Sequence, residues 1–99
     1  MEDLKTRLTQ DLADVNWHDI KPHAQRDAVI VVNENLDLLE VGIAIAKDDK
    51  ISVEHWITEQ LINKPSNRQL SDWNINPNRL FKTLIVQPFV LVQEIIIEG

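Results

Sequence analysis

The sequence predicts an α+β domain: a small three-stranded antiparallel or mixed sheet with helices packed on one face, in the order α-α-β-β-α-α-β. Three observations carry that prediction. Leu4, Leu8, Leu12 and Val15 fall on one helical stripe at i, i+4, i+8 and i+11. Residues 28–32, AVIVV, are short, apolar and β-branched, as a buried strand requires. The segment FKTLIVQPFVLVQEIII, from Phe81 to Ile97, is apolar on both of its alternating faces.

Each element follows in order. Residues 2–15 form the first helix. Asn16 caps a second, with Asp19 at N3 close to a capping box and Val15 and Ile20 at staple spacing. Pro22 removes a helical N–H, so the spacing predicts one turn from Trp17, a break, and a second turn from Pro22 to near Asp27. AVIVV is the first strand, and Asn33-Glu34-Asn35 supplies turn chemistry. Leu38–Ala46 reads as the second strand, antiparallel to the first. Leu39, Val41, Ile43 and Ile45 make its large face. Glu40, Gly42, Ala44 and Ala46 make a small one, with Gly42 marking close approach by a packed element.

Beyond the polar loop Lys47–Lys50, Ser52 is expected to cap a helix to about Ile62, with Val53, Ile57 and Leu61 as its buried stripe. Asn63-Lys64-Pro65 breaks it. Ser66 and Gln69 form a capping box for a further helix, with Leu70 and Trp73 facing inward. Trp56 and Trp73 are expected to meet in the core. Pro88 gives no N–H to a ladder and requires an edge, a bulge or a bend in the last strand.

Bulk properties bound the function. Ninety-nine residues, 43% apolar and 26% charged, make one domain spanning 1–99. The chain holds no cysteine, which excludes disulfides, thiol catalysis, zinc–thiolate sites and iron–sulfur clusters. The start MEDLKTRL is charged and lacks the pattern of a signal peptide. The longest apolar runs, AVIVV and VGIAIA, fall far short of the roughly 20 residues of a membrane span. A cytoplasmic protein away from membranes is expected. Net charge is −6, most of it in the first 50 residues. An acidic protein without a basic stripe does not bind nucleic acid by counterion release.

The stretch WHDIKPHAQRDAVIVV concentrates the candidate chemistry. Trp17, His23, Arg26 and Asp27 are the candidate ligand-binding residues, since imidazole titrates near neutrality beside charged partners. Asp19 and His23 are four apart across Pro22, and His18 and His23 do not share a helical face. The competing reading is a polar join between a helix and a strand, and it is the favoured one. His55 and Glu59 read as a solvated helical face outside any HExxH motif. With glycine at just two positions, Gly42 and Gly99, phosphate-cradling loops and a GxSxG elbow are excluded. The Ser52–Asn74 region has helix-turn-helix spacing but the wrong charge. No metal, cofactor or catalytic residue is assigned.

Several stretches resemble a family of short bacterial proteins common in photosynthetic lineages, domain of unknown function 2288: HAQRDAVIVV, LDLLEVGIAIAKD, HWITEQLINKPS, LSDWN and LIVQPFVLVQE. They are spread from His23 to Glu94 and together make up about half of the chain. The resemblance implies no activity, cofactor or site residue.

A sheet three strands wide and apolar on both faces leaves one face bare. A second copy of the chain is its simplest cover, through Gly42, Ala44 and Ala46 or through Ile85, Phe89 and Val90. The leading expectation is a small, non-catalytic, homodimeric interaction or regulatory module, with an unidentified protein partner as a further possibility. The alternative is a small-ligand binder or enzyme built on Trp17, His23, Arg26 and Asp27, with a concave pocket at the start of the first strand.

Overall fold

Alternation along the strands decides the architecture. In a computed structural model describing residues 3–95, Phe81, Val90 and Val92 point into one core, while Leu84, Val86 and Leu91 point into another on the opposite side of the sheet. A sheet apolar on both faces is thus covered on both by the chain's own helices.

The elements are α1 (Leu4–Asp11), β1 (Ala13–Asn16), α2 (Trp17–Gln25), β2 (Val29–Val32), α3 (Leu38–Ala46), α4 (Lys50–Thr58), β3 (Ile62–Asn63), α5 (Asn67–Ile75), β4 (Leu80–Val86) and β5 (Phe89–Glu94). Among the described residues the sheet has five strands in the order β1-β4-β5-β2-β3. β4 and β5 form an antiparallel hairpin, with Ile85 opposite Val90 and Val86 opposite Phe89. β2 lies parallel to β5, with Val29 beside Val90. β1 and β3 are the antiparallel edges.

The first face carries Leu8 of α1, Leu38 and Val41 of α3 and Ile62 of β3, with Val53 and Trp56 of α4 packed against them. The second face carries Trp17 and Ile20 of α2 and Trp73 of α5. Trp17 and Trp73 meet with ring centroids 5.0 Å apart, and Phe81 stands edge-on to Trp73 at 4.9 Å.

Mixed α+β character holds, but the details differ from the sequence expectation. The sheet has five strands rather than three, and helices lie on both faces rather than one. Leu38–Ala46 is a helix, not a strand: its buried residues Leu38, Val41, Gly42 and Ala44 follow helical spacing, and the Asp37 carboxylate accepts from the Leu39 amide at 2.9 Å. Because nearly every position there is apolar, alternation and helical periodicity both fit. The expected hairpin of residues 28–46 is therefore absent, and β2 pairs with β5 and β3. The first helix stops at Asp11, and Ala13–Asn16 leaves it to pair with β4.

Asn16 does cap α2, accepting from the Asp19 amide at 3.0 Å. Pro22 sits inside α2 without ending it, because Trp17, Ile20 and Ala24 anchor that helix to the second core. Asp49 rather than Ser52 caps α4. The Ser66–Gln69 capping box is formed in full. The expected strand Phe81–Ile97 divides at the cis Gln87-Pro88 bond, and its residues 96–97 lie outside the described residues. Trp56 packs on the first face and Trp73 on the second, so they do not meet. For the same reason α4 and α5 are not a helix-turn-helix unit.

Candidate functional site

α4 is the least enclosed helix of the first face. Every one of its residues is at least partly exposed; Val53 and Trp56 lean on the core, while Ile57 stays 54% exposed. The helix stands off the sheet and leaves a groove of about 520 Å³ between itself, the end of α3, and the starts of β2 and β5. Ile30, Ile45, Val53, Ile57, Ile62 and Phe89 wall the groove. Asp27, Asp48, Asp49, Glu54, Lys50 and Lys64 stand around it.

Helix ends position this rim. α2, α3 and α4 each finish in a Schellman motif, with Ala28, Asp49 and Leu61 amides donating back to the His23, Ala44 and Trp56 carbonyls. The left-handed residue in each is Asp27 (φ 61°), Asp48 (φ 55°) and Gln60 (φ 60°), where glycine is usual. Asp27 and Asp48 thereby reach the groove. Asp27 pairs with Lys64, linking the end of α2 to the residue after β3. Both side chains are largely exposed, so the pair is worth at most about 1 kcal/mol. Asp49 accepts from the Ser52 hydroxyl at 2.8 Å and from its amide at 3.2 Å. Those two hydrogen bonds, the hydroxyl's first, hold its carboxyl below the usual 3.8.

The candidate residues of the sequence are distributed unevenly about this groove. Trp17 is 1% exposed, and its indole N–H donates to Asn74 Oδ1 at 2.9 Å. It begins α2 while Asp27 follows its end, roughly 14 Å away along the helix axis. His23 is half-buried in the last turn of α2, and Arg26, the C-cap, is exposed. Of the four, Asp27 lines the groove. The groove does open at the start of the strand Val29–Val32.

The candidate interface residues also separate. Gly42 is buried against Leu84 and Val86, Ala44 is buried, and Val90 lies in the second core. Ala46, Ile85 and Phe89 reach the surface. Ile85 points to the same face as Val90, and Phe89 to the other. The two do not share one flat surface.

Residue-by-residue reading of the sequence missed Ile30, Ile45, Val53, Ile57 and Ile62 as a group. One signal for them was present. Ile51, Val53, Trp56 and Ile57 give α4 more apolar residues than a single buried stripe accommodates. Among the described residues, no three or more His, Asp or Glu stand together as metal ligands. No described helix is long and apolar enough to cross a membrane.

A family model described as "Protein of unknown function (DUF2288)" matches residues 3–94. The solution NMR structure of PA1075 from Pseudomonas aeruginosa is similar over 100% of this chain and 91% of its own, at 27% identity and a TM-score of 0.82. Among curated proteins, none matches the chain.

Proposed function

The chain belongs to the DUF2288 family of proteins of unknown function, and we propose that it is a non-catalytic interaction module that docks on a protein partner through the groove beside α4. The observation that carries this reading is the pair Ile57 and Phe89, 54% and 36% exposed on the walls of one concave apolar surface. Large apolar side chains left in water around a groove mark interaction sites. The groove's walls offer apolar contact rather than reacting groups. Two of its rim carboxylates are already engaged, Asp27 by Lys64 and Asp49 by Ser52.

The case for a second copy rests on a sheet with one bare face. Helices cover both faces here, so that reason is gone. The small-ligand reading keeps one observation, the presence of Asp27 on the groove.

Photo-crosslinking amino acids at positions 57 and 89, with position 72 on α5 as the control, test the proposal in native cells. A discrete adduct at 57 and 89 that is missing at 72 supports docking through the groove. Its mass separates a foreign partner from a second 11.4 kDa copy. Identical adduct patterns at all three positions, or none, sink the proposal.

A further inference from the structure

We infer that the occupant of the groove is a basic amphipathic helix from another protein, which sets two or three apolar side chains between α4 and the sheet and places Lys or Arg on the rim. This rests on the docking reading above and names its partner by chemistry.

Volume sets the number of anchors. A cavity of about 150 Å³ holds one benzene. A groove of about 520 Å³ therefore has room for about three side chains of that size. Anchors spaced i, i+3 or i+4, and i+7 on a helix supply that number.

The neighbouring edge argues for a helix over an added strand. β3 is two residues long and is followed at once by Lys64 and Pro65. A short edge closed by proline is a poor template for strand addition. A helix lying along α4 needs no such edge.

Charge sets the sign of the partner. Asp27, Asp48, Asp49 and Glu54 outnumber Lys50 and Lys64 on the groove. The whole chain carries −6. Two acidic rims brought face to face repel, which disfavours a second copy. An anionic lipid surface is repelled for the same reason. Lys and Arg suit the site twice, since their stems cover apolar surface while their heads reach carboxylates.

A random peptide library selected on the intact chain tests the inference, with Phe89→Glu and Ile57→Glu as counter-targets. Both positions are partly exposed, and amide spectra away from the groove verify the fold. The expected peptides combine helical apolar spacing with an excess of Lys and Arg. Each counter-target should lower their affinity by about tenfold or more. Asp48→Lys with Glu54→Lys should do the same. Raising salt from about 50 to 200 mM should weaken binding several-fold. Apolar peptides without basic excess, still lost on Phe89→Glu, would overturn the charge assignment while the docking reading stands. Failure to select any Phe89-dependent peptide would overturn both. A dimer dispersed by Phe89→Glu in light scattering, or binding to anionic vesicles lost in that variant, would replace the basic helix with a second copy or a lipid surface.

Discussion

Gly42 of α3 lies against Leu84 of β4 so closely that a Cβ at position 42 would overlap Leu84 Cδ2 and stand 3.4 Å from Val86 Cγ2. The missing side chain lets α3 settle onto the sheet. Leu84 is wholly buried, so its methyl has little space to yield.

Gly42→Ala therefore sets two effects against each other. Alanine is favoured over glycine in a helix by about 1 kcal/mol. Overpacking a closed core costs about 1–3 kcal/mol. The overlap should win, with a net loss of stability in urea denaturation. Adding Leu84→Ala should then cost less than the sum of the single changes, because the two residues contend for one space. An unchanged or higher midpoint for Gly42→Ala would mean that α3 can retreat from the sheet.

The same pair shows what the sequence made legible. A small residue facing a close neighbour was readable at Gly42, but the element carrying it was not. VGIAIA satisfies strand alternation and helical spacing at once, and the deciding partners lie over forty residues away in β4. The caps at Asn16 and Ser66 were legible because they depend on residues three apart. β1 was not, since Val15 continues the helical stripe of Leu4, Leu8 and Leu12, and its four residues become a strand only by pairing with β4. The aromatic cluster joined Trp73 to Trp17 rather than to Trp56, a choice made by which face of the sheet each helix covers. At the candidate site, Asp27 was legible as a charged residue beside a strand. The groove walls were not, because they come from α3, α4, β2, β3 and β5 together.

Two helix caps should titrate in acid. Hydrogen bonds hold the Asp3 carboxyl below 3.8, first from the Thr6 amide and then from its hydroxyl. Asp49 is lowered by Ser52 in the same way. A carboxyl depressed in the folded state adds stability above its unfolded pKa. That contribution is lost as pH falls through the folded value. The starts of α1 and α4 should accordingly loosen below pH 3.8, not near neutrality. Amide shifts of Thr6 and Ser52 followed into acid should show it. Asp49→Asn keeps a capping acceptor that does not titrate, so it should flatten the Ser52 curve. Ser52 moving at the same pH in that variant would assign the transition elsewhere.

Left-handed helix ends offer a gain in stability. Gln60 sits at φ 60°, a conformation costing a residue with a Cβ about 1–2 kcal/mol. Glycine relieves that strain, though its freer unfolded chain returns part of the gain. Gln60→Gly should stabilise by about 0.5–1 kcal/mol. The Gln60 carbonyl, which accepts from Asn63 Nδ2 at 2.9 Å, is untouched. Asp48→Gly should gain at least as much, since it also removes a carboxylate from the C-terminus of α3, where the helix dipole disfavours it. Thermal melting reads both. A lowered midpoint in either would show that the side chain makes a compensating contact.

Ile57 and Ile62 wall the same groove but belong to different layers of the structure. Ile62 is 4% exposed in the first core, and Ile57 is 54% exposed on α4. Ile62→Ala should cost about 2–4 kcal/mol, for the lost transfer of its methyls and the cavity left beneath α4. Ile57→Glu should change stability by no more than about 0.5 kcal/mol, because its side chain already meets water. Urea denaturation of the two variants separates these roles. If Ile57→Glu proves as costly as Ile62→Ala, α4 is held down by Ile57 and the groove is a seam of the core. If it is tolerated, Ile57 contributes little to folding, and the work left for a large apolar side chain at that position is contact with a partner.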